Sequence, residues 1–397
     1  MTRTTRSAII GMAAILVAGL SLRIPTISLG PLLPDLRSST GYGETLLSLL
    51  TSIPLALTLV IAPMSPWLAR RFGRNRIIIV ALTTVTVGIV VRSLPHDVAL
   101  FSGTVLLGVG IATGTVLIPA AIASATPVLR ARLTGTYSMS LSLGPALALG
   151  LTVPIMRWTD LDWTGTLAVW AGCSLIAAVL WAIYAHERYR NPTPQTDSSR
   201  VPPQGAHRVL RDPSVWQIAL YLGITSITFY ATSTWLPTTL MMSGVSTAAA
   251  GSYTAIINIV AIPCAFLAPA IMSRGYAQWL APLAPIGALI AVGLLLTVGS
   301  SGVVLTVLLF GISQGLCLGV SYDQVIRYAR SPDHAAAISA VTSAAGVALA
   351  ALGPLAYGFG LEVTASATVS LAGLGAVVAC QILLGFRTGR VVREPRP

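Results

Sequence analysis

Arg23 lies inside the apolar run 8–33, which contains no acidic residue. A charged head in hydrocarbon costs at least about 2.5 kcal/mol, so such a residue normally faces a protein cavity, a water-filled path or a partner. Its planar fork carries five N–H donors and a charge that persists at any physiological pH. That chemistry suits an anion or a strongly polar solute. The plainer alternative is an arginine whose head reaches the membrane interface or pairs with Asp35. Other long apolar runs carry Tyr230, Asn258 and Gln314, which are candidate ligands beside Arg23. Trp235 offers a flat wall and an N–H donor, and Tyr137 and Ser339 are further candidates. For each of these the competing role is a helix–helix hydrogen bond, worth about 0.6 kcal/mol on average in membranes.

Covalent chemistry finds no support. Cys173, Cys264, Cys317 and Cys380 fall singly in different apolar runs, and His96, His186, His207 and His334 fall at run ends or in loops. No metal-ligand cluster, disulfide framework or nucleophile–base pair emerges, so neither an enzyme nor a cofactor is expected. Carboxylates are scarce in the runs. Asp35 and Glu44 flank the first outer loop, Asp97, Asp160, Asp162 and Glu362 lie near the outer surface, and Asp323 stands four residues before Arg327. That last spacing predicts an ion pair at the cytoplasmic end of a helix. No midplane carboxylate is present to carry a proton, yet moving one anion inward costs about 2.3 kcal/mol per 100 mV. Three routes stay open: a proton taken by Asp35 or Glu44, carriage of a neutral acid, or facilitated diffusion, exchange or export.

The elements that position these residues follow from composition. The 397 residues are 54% hydrophobic and only 9% charged. A soluble chain of this length would carry about 25% charged residues. A membrane helix needs about 20 apolar residues, and the sequence holds twelve such spans, at roughly 8–33, 43–69, 77–95, 98–126, 133–156, 164–185, 214–241, 246–273, 277–298, 301–323, 334–360 and 364–386. The first resembles a signal peptide, but eleven spans follow and no small-residue cleavage site stands out, so it reads as a retained helix. All 24 basic residues are Arg, and 20 of them fall on one side if both termini are cytoplasmic. The exceptions are Arg23, Arg37, Arg92 and Arg157. This is the positive-inside pattern. It explains the net charge of +12 by topology and lipid contact and leaves nothing for nucleic acid.

The stretch 187–213, rich in Pro, Ser, Gln and Arg, reads as a cytoplasmic linker between a six-helix bundle at 1–186 and a second at 214–397, the latter with a short cytoplasmic tail. Punctuation repeats across it. Leu33-Pro34 corresponds to Leu236-Pro237 at an offset of 203, and Pro66 with Arg71 corresponds to Pro269 with Arg274 at the same offset. Gly110 and Gly114 match Gly311 and Gly315, Gly144-Pro145 matches Gly353-Pro354, and Ala171-Gly172 matches Ala372-Gly373, at offsets of 201, 209 and 201. Five ordered matches at a nearly constant offset argue for a parallel duplication with pseudo-symmetric halves.

The run Pro66-Trp67-Leu68-Ala69-Arg70-Arg71-Phe72-Gly73-Arg74 resembles the major facilitator superfamily loop G-x-L-A-D-R-x-G-R. It departs at Pro66, in place of the first Gly, and at Arg70, in place of the Asp that helps hold the family's inward gate closed. Thr104 stands where the family carries a buried Arg associated with proton coupling. The region around Ser140, Gly144-Pro145 and Gly150 partly resembles the antiporter motif of drug exporters. Leu22-Arg23-Ile24-Pro25 with Gly30-Pro31-Leu32-Leu33-Pro34-Asp35, Leu49 to Pro54, Trp235-Leu236-Pro237 and Gly353-Pro354 together resemble the cyanate permease and 2-nitroimidazole transporter branch. The resemblance implies an all-α, twelve-helix major facilitator fold in the cytoplasmic membrane. It also implies a small anionic or polar organic solute, cyanate-like or a small carboxylate, bound near the midplane and moved by alternating access in a rocker-switch manner. Arg23, Tyr230, Trp235, Asn258, Gln314, Tyr137 and Ser339 are the expected solute contacts. Asp35, Glu44, Arg71, Arg74, Asp323 and Arg327 are the expected gating or coupling residues. Protons are a candidate co-substrate, lipids the surrounding partner, and a monomer the expected state. The rivals are an exporter of nitroimidazole-like or drug-like compounds and, more remotely, a non-transporting membrane sensor.

Overall fold

The computed structural model describes residues 3–190, 209–330 and 332–391. Most of the expected linker, with Arg200, His207 and Arg208, and the final residues, with Arg393 and Arg396, lie outside the described residues. Every regular element among the described residues is helical: α1 (Arg3–Ile27), α2 (Leu33–Thr40), α3 (Glu44–Ile61), α4 (Ser65–Phe72), α5 (Arg74–Arg92), α6 (Asp97–Ala123), α7 (Pro127–Thr159), α8 (Trp163–Arg190), α9 (Pro213–Met242), α10 (Thr247–Ile271), α11 (Ala277–Leu283), α12 (Ile286–Thr297), α13 (Val303–Tyr328), α14 (Pro332–Thr364) and α15 (Ala367–Val391).

Twelve spans result, several of them broken where proline removes a backbone donor. The expected run 8–33 is not one helix. Pro25 lies near the end of α1, the chain leaves the helix after Ile27, and a tight turn at Gly30–Leu32 leads into α2. The expected span 43–69 divides at Pro63 into α3 and α4, with the Met64 amide reaching back to the Ile61 carbonyl at 3.1 Å. Pro282 and Pro285 divide the ninth span into α11 and α12. Among the described residues ten stretches are long and apolar enough to span a membrane, and one of them, Thr247–Thr297, contains two crossings separated by a turn at Gly275 with φ of 91°. The remaining span, α9, falls short on apolarity because it carries six Thr and three Ser among its 30 residues. Those hydroxyls are largely satisfied inside the helix. Thr225, Ser226, Thr228 and Thr232 each bond the carbonyl four residues back, at 2.7 to 3.1 Å.

The chain forms two compact units, Met1–Leu32 with Ile53–Arg200 and Leu33–Ser52 with Val201–Pro397. The first packs α1 on α7 and α8, and α5 on α6 and α8. Its core includes Ile15, Leu22, Leu82, Val85, Leu107, Ile118 and Trp181. The second packs α9 on α14 and α10 on α13, with Tyr221, Ala268, Met272, Cys317 and Val320 in one of its cores. Large apolar side chains such as Val80, Leu175 and Ile176 in the first unit, and Phe266, Ile290 and Leu383 in the second, are exposed. Apolar surface on that scale is the signature of lipid contact.

Candidate solute-binding residues

In the first unit Arg23 is half-buried on α1, and its stem sits on α7. Gly144 makes this possible. A Cβ at that position would stand 3.0 Å from the Arg23 Cβ and 3.7 Å from the Leu20 carbonyl. One turn earlier the roles reverse: Gly19 of α1 admits Ser140 of α7, and a side chain at Gly19 would collide with it. Tyr137 is buried beside the same glycine, and its carbonyl accepts the Ser140 hydroxyl at 2.6 Å. The Gly144-Pro145 pair is therefore a seat for Arg23.

A second arginine in this unit escaped the sequence reading. Arg92, expected at the outer boundary as a topological charge, is fully buried at the end of α5. Its Nη2 donates to the Pro25 carbonyl at 2.8 Å. Thr104, at the family's buried-arginine position, is also fully buried and bonds the Leu100 carbonyl of its own helix at 2.7 Å. The signal for Arg92 was weak, because a single arginine near a span end has the same sequence appearance whether it is sunk or snorkelling.

In the second unit Asn258 is buried on α10, and its amide donates to the Thr254 carbonyl at 3.3 Å. Gln314 is half-buried on α13 and donates to the Thr225 carbonyl of α9 at 3.2 Å. From α15, Gln381 completes this group: its Nε2 donates to the Thr225 hydroxyl at 2.7 Å and the Tyr221 carbonyl at 3.3 Å. Gln381 was missed, although a lone amide in an apolar span is the signal that singled out Gln314. Tyr230 is half-buried and packs edge-on against Phe229, with ring centroids 5.0 Å apart. Ser339 is exposed, and its carbonyl accepts the Thr342 hydroxyl at 3.2 Å. Trp235 behaves differently from expectation. Its ring N–H is spent on the Pro354 carbonyl at 3.0 Å and the Ser48 hydroxyl at 3.2 Å, so it ties α9 to α14 and α3 instead of offering a donor.

The expected gating residues group at helix ends. Asp323 and Arg327 form the i,i+4 ion pair, and just beyond them the Tyr328 hydroxyl donates to Asp212, the cap of α9, at 2.6 Å. Arg74 donates to the Ala120 carbonyl at 2.8 Å and the Ser124 hydroxyl at 3.0 Å, which satisfies the C-terminal end of α6. Arg71 lies over the rings of Trp67 and Phe72, 5.6 and 5.4 Å from their centroids. Asp35 is half-buried in the first turn of α2. Glu44 is buried and ion-paired with Arg37, and Glu362 of α14 accepts the Thr45 amide at 2.8 Å, capping α3 from another helix. Among the described residues no group of three or more His, Cys, Asp or Glu could hold a metal ion.

A helical bundle with lipid-facing flanks and isolated polar side chains in its spans belongs to the class of polytopic membrane carriers. The chain is a member of the Major Facilitator Superfamily, which it matches over residues 11–354. It is 31% identical over 390 residues to the 2-nitroimidazole transporter of Escherichia coli (strain K12), covering 97% of this chain and 96% of that protein. It is 26% identical over 260 residues to the cyanate transport protein CynX of the same organism, covering 65% and 66% respectively. Among solved structures, a bacterial homolog of the human lysosomal transporter Spinster, inward-facing and unoccupied, superposes with a TM-score of 0.79 at 17% identity over the whole of both chains. The protein is a multi-pass membrane transporter of small solutes and not an enzyme.

Proposed function

We propose that this transporter carries a small anionic or polar organic solute, of the cyanate or small-carboxylate class, across a bacterial cytoplasmic membrane by alternating access. The observation that carries this reading is Arg23, half-buried on a span with no acidic residue in its apolar run and seated against Gly144. Its fork supplies the fixed charge. In the second unit Asn258 and Gln314 are the polar contributors, and Gln381 joins them through Thr225. Tyr230, Tyr137 and Ser339 are subsidiary contacts, while Trp235 acts by holding helices together. The ion pairs and caps of Glu44, Arg74, Asp323 and Arg327 serve the gates, and Asp35 is the candidate proton carrier. Both termini are cytoplasmic, and the monomer suffices.

The similarity to the 2-nitroimidazole transporter supports a second reading, in which a neutral nitroheterocycle is the solute. Thermal-shift binding on purified protein with cyanate, nitrate, acetate and 2-nitroimidazole, run beside Arg23→Gln, separates the two. Stabilisation by an anion that vanishes in Arg23→Gln is the expected result. Stabilisation by 2-nitroimidazole alone, unchanged in the variant, overturns the anion reading.

A further inference from the structure

We propose that Arg92 is a positioning residue for solute recognition: from α5 it clamps the carbonyl at the break in α1 and so fixes the direction in which Arg23 points. The inference rests on Arg23 being the solute ligand. α1 ends at Ile27, where a helix runs out of partners for its last carbonyls; the Ile24 carbonyl still takes the Ser28 amide at 2.9 Å, and Pro25 is the next in line. In a membrane interior such a group needs another donor. Pro25 is in that last turn, two residues beyond Arg23, and its carbonyl is the one that Arg92 takes at 2.8 Å. A turn that frays or rotates at Pro25 would carry Arg23 with it.

The burial of Arg92 argues against a charge placed for topology or lipid. The residue has no exposed surface, and its Nε and Nη1 have no hydrogen-bond partner. α6 closes over its backbone, since a Cβ at Gly103 would stand 2.6 Å from the Arg92 Cα. Apolar packing alone would be met at lower cost by a methionine or leucine, because burying an unpaired charge is strongly unfavourable. What the guanidinium adds is a directed donor long enough to cross from α5 to the α1 break. The break is thereby held by a helix other than the one that carries Arg23, and the fork of Arg23 keeps a single orientation.

Fork orientation matters most for a solute held by two parallel hydrogen bonds. Acetate presents two oxygens to the fork, whereas cyanate is linear and is held end-on. Arg92→Lys and Arg92→Gln should therefore weaken acetate binding about tenfold and cyanate binding less than about threefold, a loss of geometry and not of charge. The measurement is thermal-shift titration of the full chain with both anions, beside Arg23→Gln. Hydrogen exchange across residues 19–27 is read in parallel and should rise in both Arg92 variants. Should Arg92→Gln fail to fold, Arg92→Lys carries the test alone. An unchanged acetate-to-cyanate ratio, or unchanged exchange in α1, overturns the role of Arg92 while Arg23→Gln remains impaired. Anion binding that survives Arg23→Gln shows instead that the Arg23 reading has failed, and the lack of binding of either anion to the wild-type chain overturns both.

Discussion

The placement of Arg23 depends on a residue with no side chain. At 3.0 Å from the Arg23 Cβ, a methyl at Gly144 forces α1 and α7 apart by a few tenths of an ångström or pushes the arginine stem aside. Overpacking of that size costs about 1 kcal/mol or more, so Gly144→Ala should weaken anion binding about fivefold in a titration, with the fold retained. Arg23→Lys tests the fork itself. It keeps the charge and loses the paired donors, so acetate binding should fall more than cyanate binding. Wild-type affinity for both in Arg23→Lys would mean that only charge matters. Arg23 stood out in the sequence because a charge without an acid in an apolar run demands an explanation. Gly144 was legible as a repeated Gly-Pro pair, but not as the seat of Arg23, since nothing in a sequence says which helices touch. Arg92 was illegible in kind: burial belongs to packing, and its sequence neighbourhood is that of any span end. Trp235 shows the converse, an aromatic with the credentials of a ligand whose N–H is consumed by Pro354 and Ser48.

At the scale of elements, caps decide where spans begin and end. The loop motif acts through Arg74, which crosses to the Ala120 carbonyl and the Ser124 hydroxyl at the end of α6, and through Gly73, whose φ of 91° turns the chain from α4 into α5. Arg74→Gln should lower thermal stability in detergent, by about 2 kcal/mol for a charged donor lost from a helix end. Arg71→Gln, which removes only a cation–π contact at the surface, should cost about 0.5 kcal/mol. At the start of α8, Asp162 accepts the Gly165 amide at 2.8 Å and the Thr164 hydroxyl at 2.7 Å. These bonds hold its carboxyl below the usual range. The stabilisation is present above the unfolded value of about 3.9 and is lost as pH falls through the lower folded value. Asp162→Asn should therefore lower the melting temperature at pH 7, and the gap from wild type should close in strong acid. Twelve spans could be counted from apolar length, but the breaks after Ile27, Ile61 and Leu283 could not be placed, because proline inside a membrane helix kinks it in one context and ends it in another. α9 illustrates the limit from the other side. Its hydroxyls dilute apolarity in sequence, yet those of Thr225, Ser226, Thr228, Thr232 and Thr239 are spent on carbonyls of their own helix.

At the scale of the whole molecule, charge sorts by end within each unit. In the first, Arg70, Arg71, Arg74, Arg76, Arg130 and Arg132 sit between helix pairs at one end, and Asp97, Asp160 and Asp162 at the other. In the second, Arg274, Arg327, Arg330, Arg387 and Arg390 share one end, and Asp35, Glu44 and Glu362 the other. A guanidinium resists transfer across the bilayer far more than a carboxylate resists being left outside, so arginine placement sets orientation. Applied to the second unit by itself, that rule predicts that the loop after α14 faces outward and the turn after α10 faces the cytoplasm. Single cysteines at Ser366 and Ser273, both outside regular α-helix in those two connections, report this once the four native cysteines are replaced. In intact cells a membrane-impermeant maleimide should label Ser366→Cys and spare Ser273→Cys, and permeabilised cells should label both. The reverse pattern would invert the molecule. The arginine end of each unit would then face outward, and the ion pair of Asp323 with Arg327 would lie at the outer side of its unit.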